Sequence, residues 1–228
     1  RAMKAQRSGQ IGVLVRNNSR VQYQEVLSHP LAYEFILGIS EGLEEAGYMM
    51  SFVRLSDVDP EKHMQSSAFR GHLLDGLIVV NNVPATMPER LESLIPHVVW
   101  LDTNVWRETN CIRRDEFHAG ILAARAIADA GYKRVLALQH LAGATPHFSY
   151  YERLKGVRDE AGKRDLAVVV QEMPWDKSEV FLKDFTAQLQ PDVAILAMDI
   201  YIAQRLVGWL ITEEKRPGRD FPLACCDD

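Results

Sequence analysis

The chain has 228 residues, of which 47% are hydrophobic and 25% are charged, and its formal net charge is -5. These values are ordinary for a soluble globular protein and allow one large domain or two small ones. This acidic balance argues against a chain that grips nucleic acid along its own surface, because that task needs clustered Lys and Arg. No apolar run reaches the roughly 18 residues of a membrane span, and the first residues lack the apolar core of a signal peptide. A cytoplasmic location without membrane contact is therefore expected.

The first predicted unit is a strand, a loop and a helix. The apolar run Ile11–Val15 fits a strand buried on both faces. After a polar loop, Ser28 and Pro30 stand where an N-cap and a first-turn proline belong, and apolar residues then recur at helical spacing. Residues 1–10 are basic and polar without an apolar face, which predicts a linker that enters the first strand.

Strands and helices alternate through the rest of the chain. Further strands are predicted at 49–55, 76–80, 98–101, 111–112, 134–138, 167–171, 193–197 and 221–226, and helices at 60–74, 87–95, 117–130, 150–161, 178–189 and 200–212. Regular alternation predicts an α/β fold with parallel sheets covered by helices. So many units exceed one open sheet, and we expect two doubly wound lobes. The predicted division is a linker at 1–10, an N-terminal lobe at 11–131 and an incomplete C-terminal lobe at 132–228.

A (β/α)₈ barrel is the competing architecture. Such barrels run to roughly 250 residues and need eight units of even size, which this chain does not offer. Two doubly wound lobes are therefore the favoured fold.

Several signatures of enzymes and cofactor sites are absent from the sequence. There is no glycine-rich phosphate loop, no dinucleotide fingerprint and no nucleophile elbow. The seven histidines show no metal-ligand spacing, and the three cysteines form no disulfide framework. We therefore expect no catalysis, no cofactor and no metal. An enzyme would have to use Asp115 with His118 or His147 as acid and base.

Polar and aromatic residues that follow the strands are candidate ligand contacts, because ligands of open α/β sheets bind beyond the carboxyl ends of the strands. Asp115 follows a short strand, Trp175 follows the strand ending near Gln171, and Asp227 follows the last strand. Carboxylates accept hydrogen bonds from hydroxyls, and an aromatic face stacks on a pyranose. These residue types predict a sugar site. The alternatives are a helix N-cap for Asp115 and apolar packing for Trp175.

A set of short motifs stands along nearly the whole chain in a specific order. They are Ile11–Val15 with Gly47-Tyr48, Asp75-Gly76-Leu77-Ile78, Asp115 with Ala119-Gly120, Gly131–Val135, Arg153–Val157, Asp199–Ala203, and Asp220–Leu223 leading to Asp227. Their order and spacing resemble the effector-binding core of the LacI/GalR family of bacterial transcription regulators.

The resemblance implies a two-lobed fold of the periplasmic binding protein-like type I class. Such regulators are homodimers that bind a small effector, often a sugar, in the cleft between the lobes and alter operator affinity through an N-terminal helix-turn-helix. We expect that DNA-binding domain and the family's last strands to lie outside these 228 residues. A periplasmic-type sugar-binding protein of a transport system is the alternative, and the basic linker favours the regulator.

The resemblance also implies the roles of individual side chains. Arg153 would be a bidentate clamp, Asp115 and Asp227 would accept hydroxyl hydrogen bonds, and Trp175 would be a stacking platform. The predicted effector-binding residues are Leu31, Asp115, His147, Arg153, Trp175 and Asp227.

Leu31 and His147 are included for their positions. Leu31 lies in the first turn of a helix whose free N–H groups should face the ligand, and His147 stands on the approach to Arg153. Arg153 is expected at the rim of the cleft, with a surface ion pair to Glu152 or Glu160 as the alternative. A pair of cysteines precedes Asp227 where the family has glycine and an aromatic residue, which suggests a drier pocket.

Overall fold

A computed structural model of the chain describes residues 7–17, 30–56, 62, 64, 69, 73–80, 82–140, 147–174, 177–187 and 189–227. The chain divides into two compact units, Arg1–Arg114 and Asp115–Asp228. Each unit contains one parallel sheet, and this confirms the predicted α/β fold. Within the described residues, no helix is both long and apolar enough to cross a membrane.

The first unit is built on a five-stranded parallel sheet with the strand order β2-β1-β3-β4-β5. Its elements are β1 (Gln10–Asn17), α1 (Pro30–Glu45), β2 (Met49–Ser56), β3 (Gly76–Val80), α2 (Pro88–Leu94), β4 (Val98–Leu101) and β5 (Cys111–Ile112). Helix α1 ends through Gly47, which adopts a φ of 76°, while the N–H of Tyr48 donates to the carbonyl of Leu43 at 2.8 Å. Glycine tolerates this left-handed conformation, so the sequence fixes the point where the chain turns into β2.

The described core of the first unit lies on one face of its sheet. Leu14, Val53 and Val79 share that face and pack in a single apolar cluster with Leu91 of α2. On the opposite face, Val13 is buried, but its neighbour in β2, Phe52, is 56% exposed. The two faces of this sheet are therefore unequally covered.

The second unit is built on a four-stranded parallel sheet with the order β7-β6-β8-β9. Its elements are α3 (Glu116–Asp129), β6 (Arg134–Gln139), α4 (Phe148–Arg164), β7 (Ala167–Glu172), α5 (Ser178–Ala187), β8 (Val193–Ala197), α6 (Ile200–Thr212) and β9 (Leu223–Cys225). Alternate residues of the fully buried strand β8 enter two different apolar clusters: Ile195 and Ala197 belong to one, Ala194 and Leu196 to the other. Because successive strand residues point to opposite faces, this sheet is covered on both sides.

The second unit begins earlier than the predicted lobe boundary at residue 131. Helix α3, which precedes that residue, packs closely on α4 of the second unit. Gly131 adopts a φ of 90° and ends α3 before β6. The glycine therefore marks a helix terminus inside the second unit and not the division between the two units.

The predicted elements agree with the structure apart from their ends. Helix α4 extends beyond the predicted 150–161 at both ends, and β9 is shorter than the predicted 221–226. Most of the predicted helix at 60–74 lies outside the described residues, although Lys62, Met64 and Phe69 are helical. Helix ends fray and are the least certain part of any sequence-based assignment.

Candidate functional site

The strand order of the second unit places a topological switch point at the carboxyl ends of β6 and β8. The chain goes from β6 to β7 on one side and then to β8 on the other, so the connections diverge between β6 and β8. Such switch points are where open α/β sheets bind ligands. Polar side chains from the starts of α3, α4 and α6 and from the end of β9 gather there.

Arg153 is the centre of this group. Its Nε donates to Oε2 of Glu116 at 2.5 Å and its Nη2 donates to Oε1 at 3.1 Å, which forms a bidentate ion pair. Nη1 donates to the carbonyl of Met198, and Nη2 also donates to Oδ1 of Asp227. One guanidinium therefore connects α3, α4 and the residues that follow β8 and β9.

Two glycines bring α3 and α4 close enough to form this ion pair. A Cβ on Gly120 would lie 2.1 Å from the carbonyl oxygen of Arg153, and a Cβ on Gly156 would lie 2.0 Å from that of Phe117. Each helix therefore presents a bare backbone to the other, and any side chain would force them apart. The close crossing fixes Glu116 and Arg153, which stand one turn before their respective glycines.

Burial and pairing together determine the charge state of Arg153. Its side chain is only 2% exposed, and burial by itself lowers the pKa of the guanidinium. The hydrogen bonds and charges of Glu116 and Asp227 outweigh burial and raise the pKa of Arg153 above its usual value. Arg153 therefore remains a cation inside the protein.

These contacts correct two expectations about Arg153. The side chain does not lie at an accessible rim, because the guanidinium is buried among its partners. The alternative of a surface pair with Glu152 or Glu160 is also wrong: Glu160 is buried and accepts hydrogen bonds from Arg125 at 2.9 Å and Arg164 at 3.2 Å. The two N–H groups of Arg153 that were expected to bind an effector in bidentate fashion, at Nε and Nη2, donate to Glu116 instead.

Asp227 is the most open acidic member of the group, with a side chain that is 11% exposed. Its Oδ1 accepts from Arg153, and its Oδ2 accepts from the backbone N–H of Ile200 at 3.3 Å, at the start of α6. Burial raises the pKa of the preceding thiols, to about 11 for Cys225 and about 12 for Cys226. Asp227 is thus a charged acceptor set beside neutral, poorly reactive thiols.

Asp199 links α6 to α4. Its Oδ1 accepts from the N–H of Ile202 at 2.8 Å and caps α6, while its Oδ2 accepts from the hydroxyl of Tyr150 at 2.5 Å. Burial, together with the charge and hydrogen bond of Asp199, raises the pKa of Tyr150. The phenol therefore stays protonated and acts as a donor.

Asp115 and His147 both act as helix caps. Oδ1 of Asp115 accepts from the N–H of His118 at 2.9 Å, which is the N-cap alternative weighed for this residue. His147 caps α4, and its Nδ1 lies 2.8 Å from the hydroxyl oxygen of Ser149. Among the described residues, no group of three or more His, Cys, Asp and Glu is arranged to hold a metal ion.

The side chains of two predicted site residues are not among those that the structure describes. Trp175 lies outside the described residues. Leu31 is the second residue of α1, but its side chain and the predicted N-cap Ser28 also lie outside them. The predicted stacking platform and the exposed helix N-terminus therefore stay predictions.

The first unit contains a polar group that the sequence reasoning missed. Asp102 follows β4, adopts a left-handed φ of 52° and is only 4% exposed. Its Oδ2 accepts from Nη2 of Arg114 at 2.8 Å. A signal for Asp102 was available, because this carboxylate directly follows the apolar run Val98–Leu101. Asp227 was selected by the same rule, that a polar residue after a strand is a candidate ligand contact. Glu116 gave no comparable signal, since an acidic residue in the first turn of a helix is usually a surface residue.

The chain resembles solved structures of bacterial regulators over nearly its whole length. A transcription regulator-like protein from Staphylococcus haemolyticus has a TM-score of 0.78 at 17% identity, covering 96% of this chain and 79% of its own. A probable maltose operon transcriptional repressor from Staphylococcus aureus gives 0.79 at 15% identity, with 96% and 78% covered. A periplasmic binding protein/LacI transcriptional regulator from Alkaliphilus metalliredigens, complexed with D-xylulofuranose, gives 0.71 at 18% identity, with 94% and 76% covered.

These similarities establish the fold. The chain has the periplasmic binding protein-like type I fold, and its structural neighbours are LacI-family transcription regulators. No protein-family model matches the sequence, and no curated protein matches it.

Proposed function

We propose that this chain is the effector-binding domain of a LacI-family transcription regulator. It binds a small polyhydroxylated metabolite, such as a sugar, and the bound ligand shifts the affinity of the regulator for its operator. The DNA contacts belong to a separate helix-turn-helix domain, and a cytoplasmic location and the absence of catalysis are part of the same proposal. The fold supports this assignment, as does the D-xylulofuranose bound by one neighbour of the same fold.

The observation that carries the proposal is the position of Asp227. It is a charged acceptor at the carboxyl edge of the second sheet, oriented by Arg153 and by the N–H of Ile200, and it keeps an accessible edge. Because a carboxylate held in this way is already ordered, it can accept hydrogen bonds from the hydroxyls of a ligand without losing further side-chain entropy on binding. We propose Asp115, His147, Trp175 and the first turn of α1 at Leu31 as further contacts, with Arg153 supporting Asp227.

A ligand screen tests this proposal. Thermal unfolding of the full chain is measured with a panel of sugars, nucleobases and amino acids, since a ligand that binds only the native state raises Tm. The Kd of each hit is then measured by calorimetry for the wild type, for Asp227→Asn and for Asp192→Asn. Asp192 is a suitable control because its side chain is 66% exposed and it pairs with Arg134. It is not a member of the Arg153 cluster, which consists of Arg153, Glu116, Met198, Asp199 and Asp227.

We expect Asp227→Asn to weaken binding about 100-fold, since it replaces a charged acceptor by a neutral one that also presents N–H donors. Asp192→Asn should bind like the wild type. A panel without any stabilising ligand, or equal affinity in all three proteins, would exclude this site.

A second copy of the chain is the partner that we propose for the first unit. Three of the exposed large apolar side chains of this unit lie on α1 and the edge strand β2: Leu37 at 43%, Met49 at 63% and Phe52 at 56%. Strand β2 is the edge of its sheet, where exposed apolar residues favour association. The resemblance to homodimeric regulators favours a second copy as the occupant.

The regulatory role has its own test. DNA fragments selected by the intact protein are titrated with and without the ligand found in the screen, and the operator affinity must change by the ratio of the ligand affinities of the free and DNA-bound forms. A binding protein of a transport system would select no DNA.

A further inference from the structure

Arg153 has almost no hydrogen-bonding capacity left for a ligand. It donates to both oxygens of Glu116, to the carbonyl of Met198 and to Asp227. These bonds use nearly all the N–H donors of a guanidinium. The cation of the cluster is therefore satisfied by the protein itself.

The charges around Arg153 are predominantly negative. Among the described residues, the carboxylates of Glu116 and Asp227 contact the guanidinium of Arg153, and Asp199, which accepts from Tyr150, follows Met198 beside them; Glu116 and Asp199 are 3% and 7% exposed. In a partly desolvated site, a like charge is repelled more strongly than in water. An anionic ligand would meet excess negative charge and no free cation of this cluster.

Glu116 is the member that determines this outcome. Its carboxylate takes the planar edge of the guanidinium formed by Nε and Nη2, so that the remaining edges point to Met198 and Asp227. The close crossing of α3 and α4 at Gly120 and Gly156 keeps this pairing fixed. An amide at position 116 would lack the charge and would turn an N–H toward the guanidinium.

We infer that Glu116 is a positioning residue for the proposed effector site, which holds Arg153 away from the ligand, presents Asp227 as the acceptor and excludes anionic effectors. The effector is accordingly a neutral or cationic molecule that donates hydrogen bonds, such as an unphosphorylated sugar or an amine. This inference rests on the proposed function, because it concerns the ligand chemistry of that site.

Inorganic phosphate is the probe that tests this inference. The Tm of the full chain is measured in phosphate from zero to ten millimolar, with sodium chloride keeping the ionic strength constant. Wild type, Glu116→Gln and Glu160→Gln are compared. Glu160→Gln is the matched control, because Glu160 is equally buried and also pairs with arginines of the α3–α4 pair, but lies outside the cluster. General salt effects on burial act on all three proteins alike.

We expect no phosphate-dependent shift for the wild type or for Glu160→Gln. Glu116→Gln should show a saturable rise of about 3 °C, since the change removes one negative charge from the surroundings of Arg153 and leaves one of its N–H groups facing an amide NH₂ instead of an acceptor. If Glu116→Gln does not fold, Asp227→Ala replaces it, because Asp227 is more exposed and its removal takes away a negative charge and one of the two acceptors of Nη2 of Arg153.

Two results would overturn the inference. One is a phosphate-dependent rise in the wild type equal to that of Glu116→Gln. The other is a variant, Glu116→Gln or its replacement, that responds to phosphate no more than Glu160→Gln does. Failure of the proposed function is seen separately, as a ligand panel without hits while the phosphate responses follow our expectation.

Discussion

The two units share a parallel α/β design but differ in what they bury. The second unit covers both faces of its sheet with apolar clusters and encloses a charged group around Arg153. The described core of the first unit covers one face of its sheet and leaves Phe52 on the other face 56% exposed. The same architecture therefore encloses a network of buried charges around Arg153 in one unit and leaves large apolar side chains exposed on a sheet face in the other. The difference lies in a few side chains and not in the topology.

The largest effect is expected from breaking the buried ion pair of the second unit. Arg153→Ala leaves Glu116 and Asp227 without their cation and should lower the free energy of unfolding by about 3–5 kcal/mol. Arg134→Ala, which removes an exposed pair with Asp192, should cost little. Urea unfolding followed by circular dichroism measures both. Equal losses would mean that the buried cluster is no more important to stability than a surface pair.

The glycine crossing comes next. Gly120→Ala places a methyl group on the backbone of Arg153 and should cost about 3 kcal/mol, because neither helix can move without breaking the cluster. Gly162→Ala lies on the same helix pair, in α4, but meets nothing within 4 Å, and should stabilise the protein by about 0.5–1 kcal/mol. Thermal unfolding compares the two variants. Similar Tm values would contradict the close approach of the helices.

Association is expected to depend on the first unit alone. Phe52→Asp should weaken the proposed dimer about 100-fold, because a charge would have to be desolvated at the interface. Val169→Asp is the matched control, since Val169 is 51% exposed on β7, the edge strand of the second sheet. Sedimentation velocity over a range of concentrations measures both. Dissociation by Val169→Asp but not by Phe52→Asp would assign the interface to the second unit.

The smallest perturbation probes the thiols beside Asp227. Because burial raises the pKa of Cys225 to about 11, its thiolate fraction at pH 8 is low, and alkylation by iodoacetamide should be at least about 100-fold slower than for glutathione. The rate should rise about tenfold per pH unit until pH approaches 11. Peptide mass spectrometry follows the reaction, with urea-unfolded protein as the control. Labelling as fast as glutathione would mean that the pKa of Cys225 is not raised in the folded protein.

The sequence predicted the fold because its signals are local. Apolar β-branched runs, helical spacing and terminal glycines such as Gly47 and Gly131 act within a few residues, so the order of strands and helices follows from them. The division into units was less accessible, because it depends on which helix packs on which sheet. Gly131 ends a helix and was interpreted as a boundary between lobes.

The candidate site was only partly predictable. Arg153 lies on the same face of α4 as Val157 and Ala161, four and eight residues later, and this helical spacing indicates burial. An exposed position was expected instead, because arginine is a charged residue. Its partner Glu116 is 37 residues away, and nothing local in the sequence connects the two. Asp227 was found by its place after a strand, and Asp102 could have been found by the same rule.

The Arg153 cluster also has a consequence for folding kinetics. The residues that contact Arg153 are separated from it by 37, 45 and 74 positions, so the network closes only after α3, α4, β8 and β9 are assembled. Stripping water from a guanidinium before its partners arrive would be unfavourable, and we expect the cluster to form after the folding transition state. Substitutions at Asp227 should therefore accelerate unfolding and leave the folding rate nearly unchanged. The buried charge network then slows unfolding without speeding folding, and this lengthens the lifetime of the native second unit.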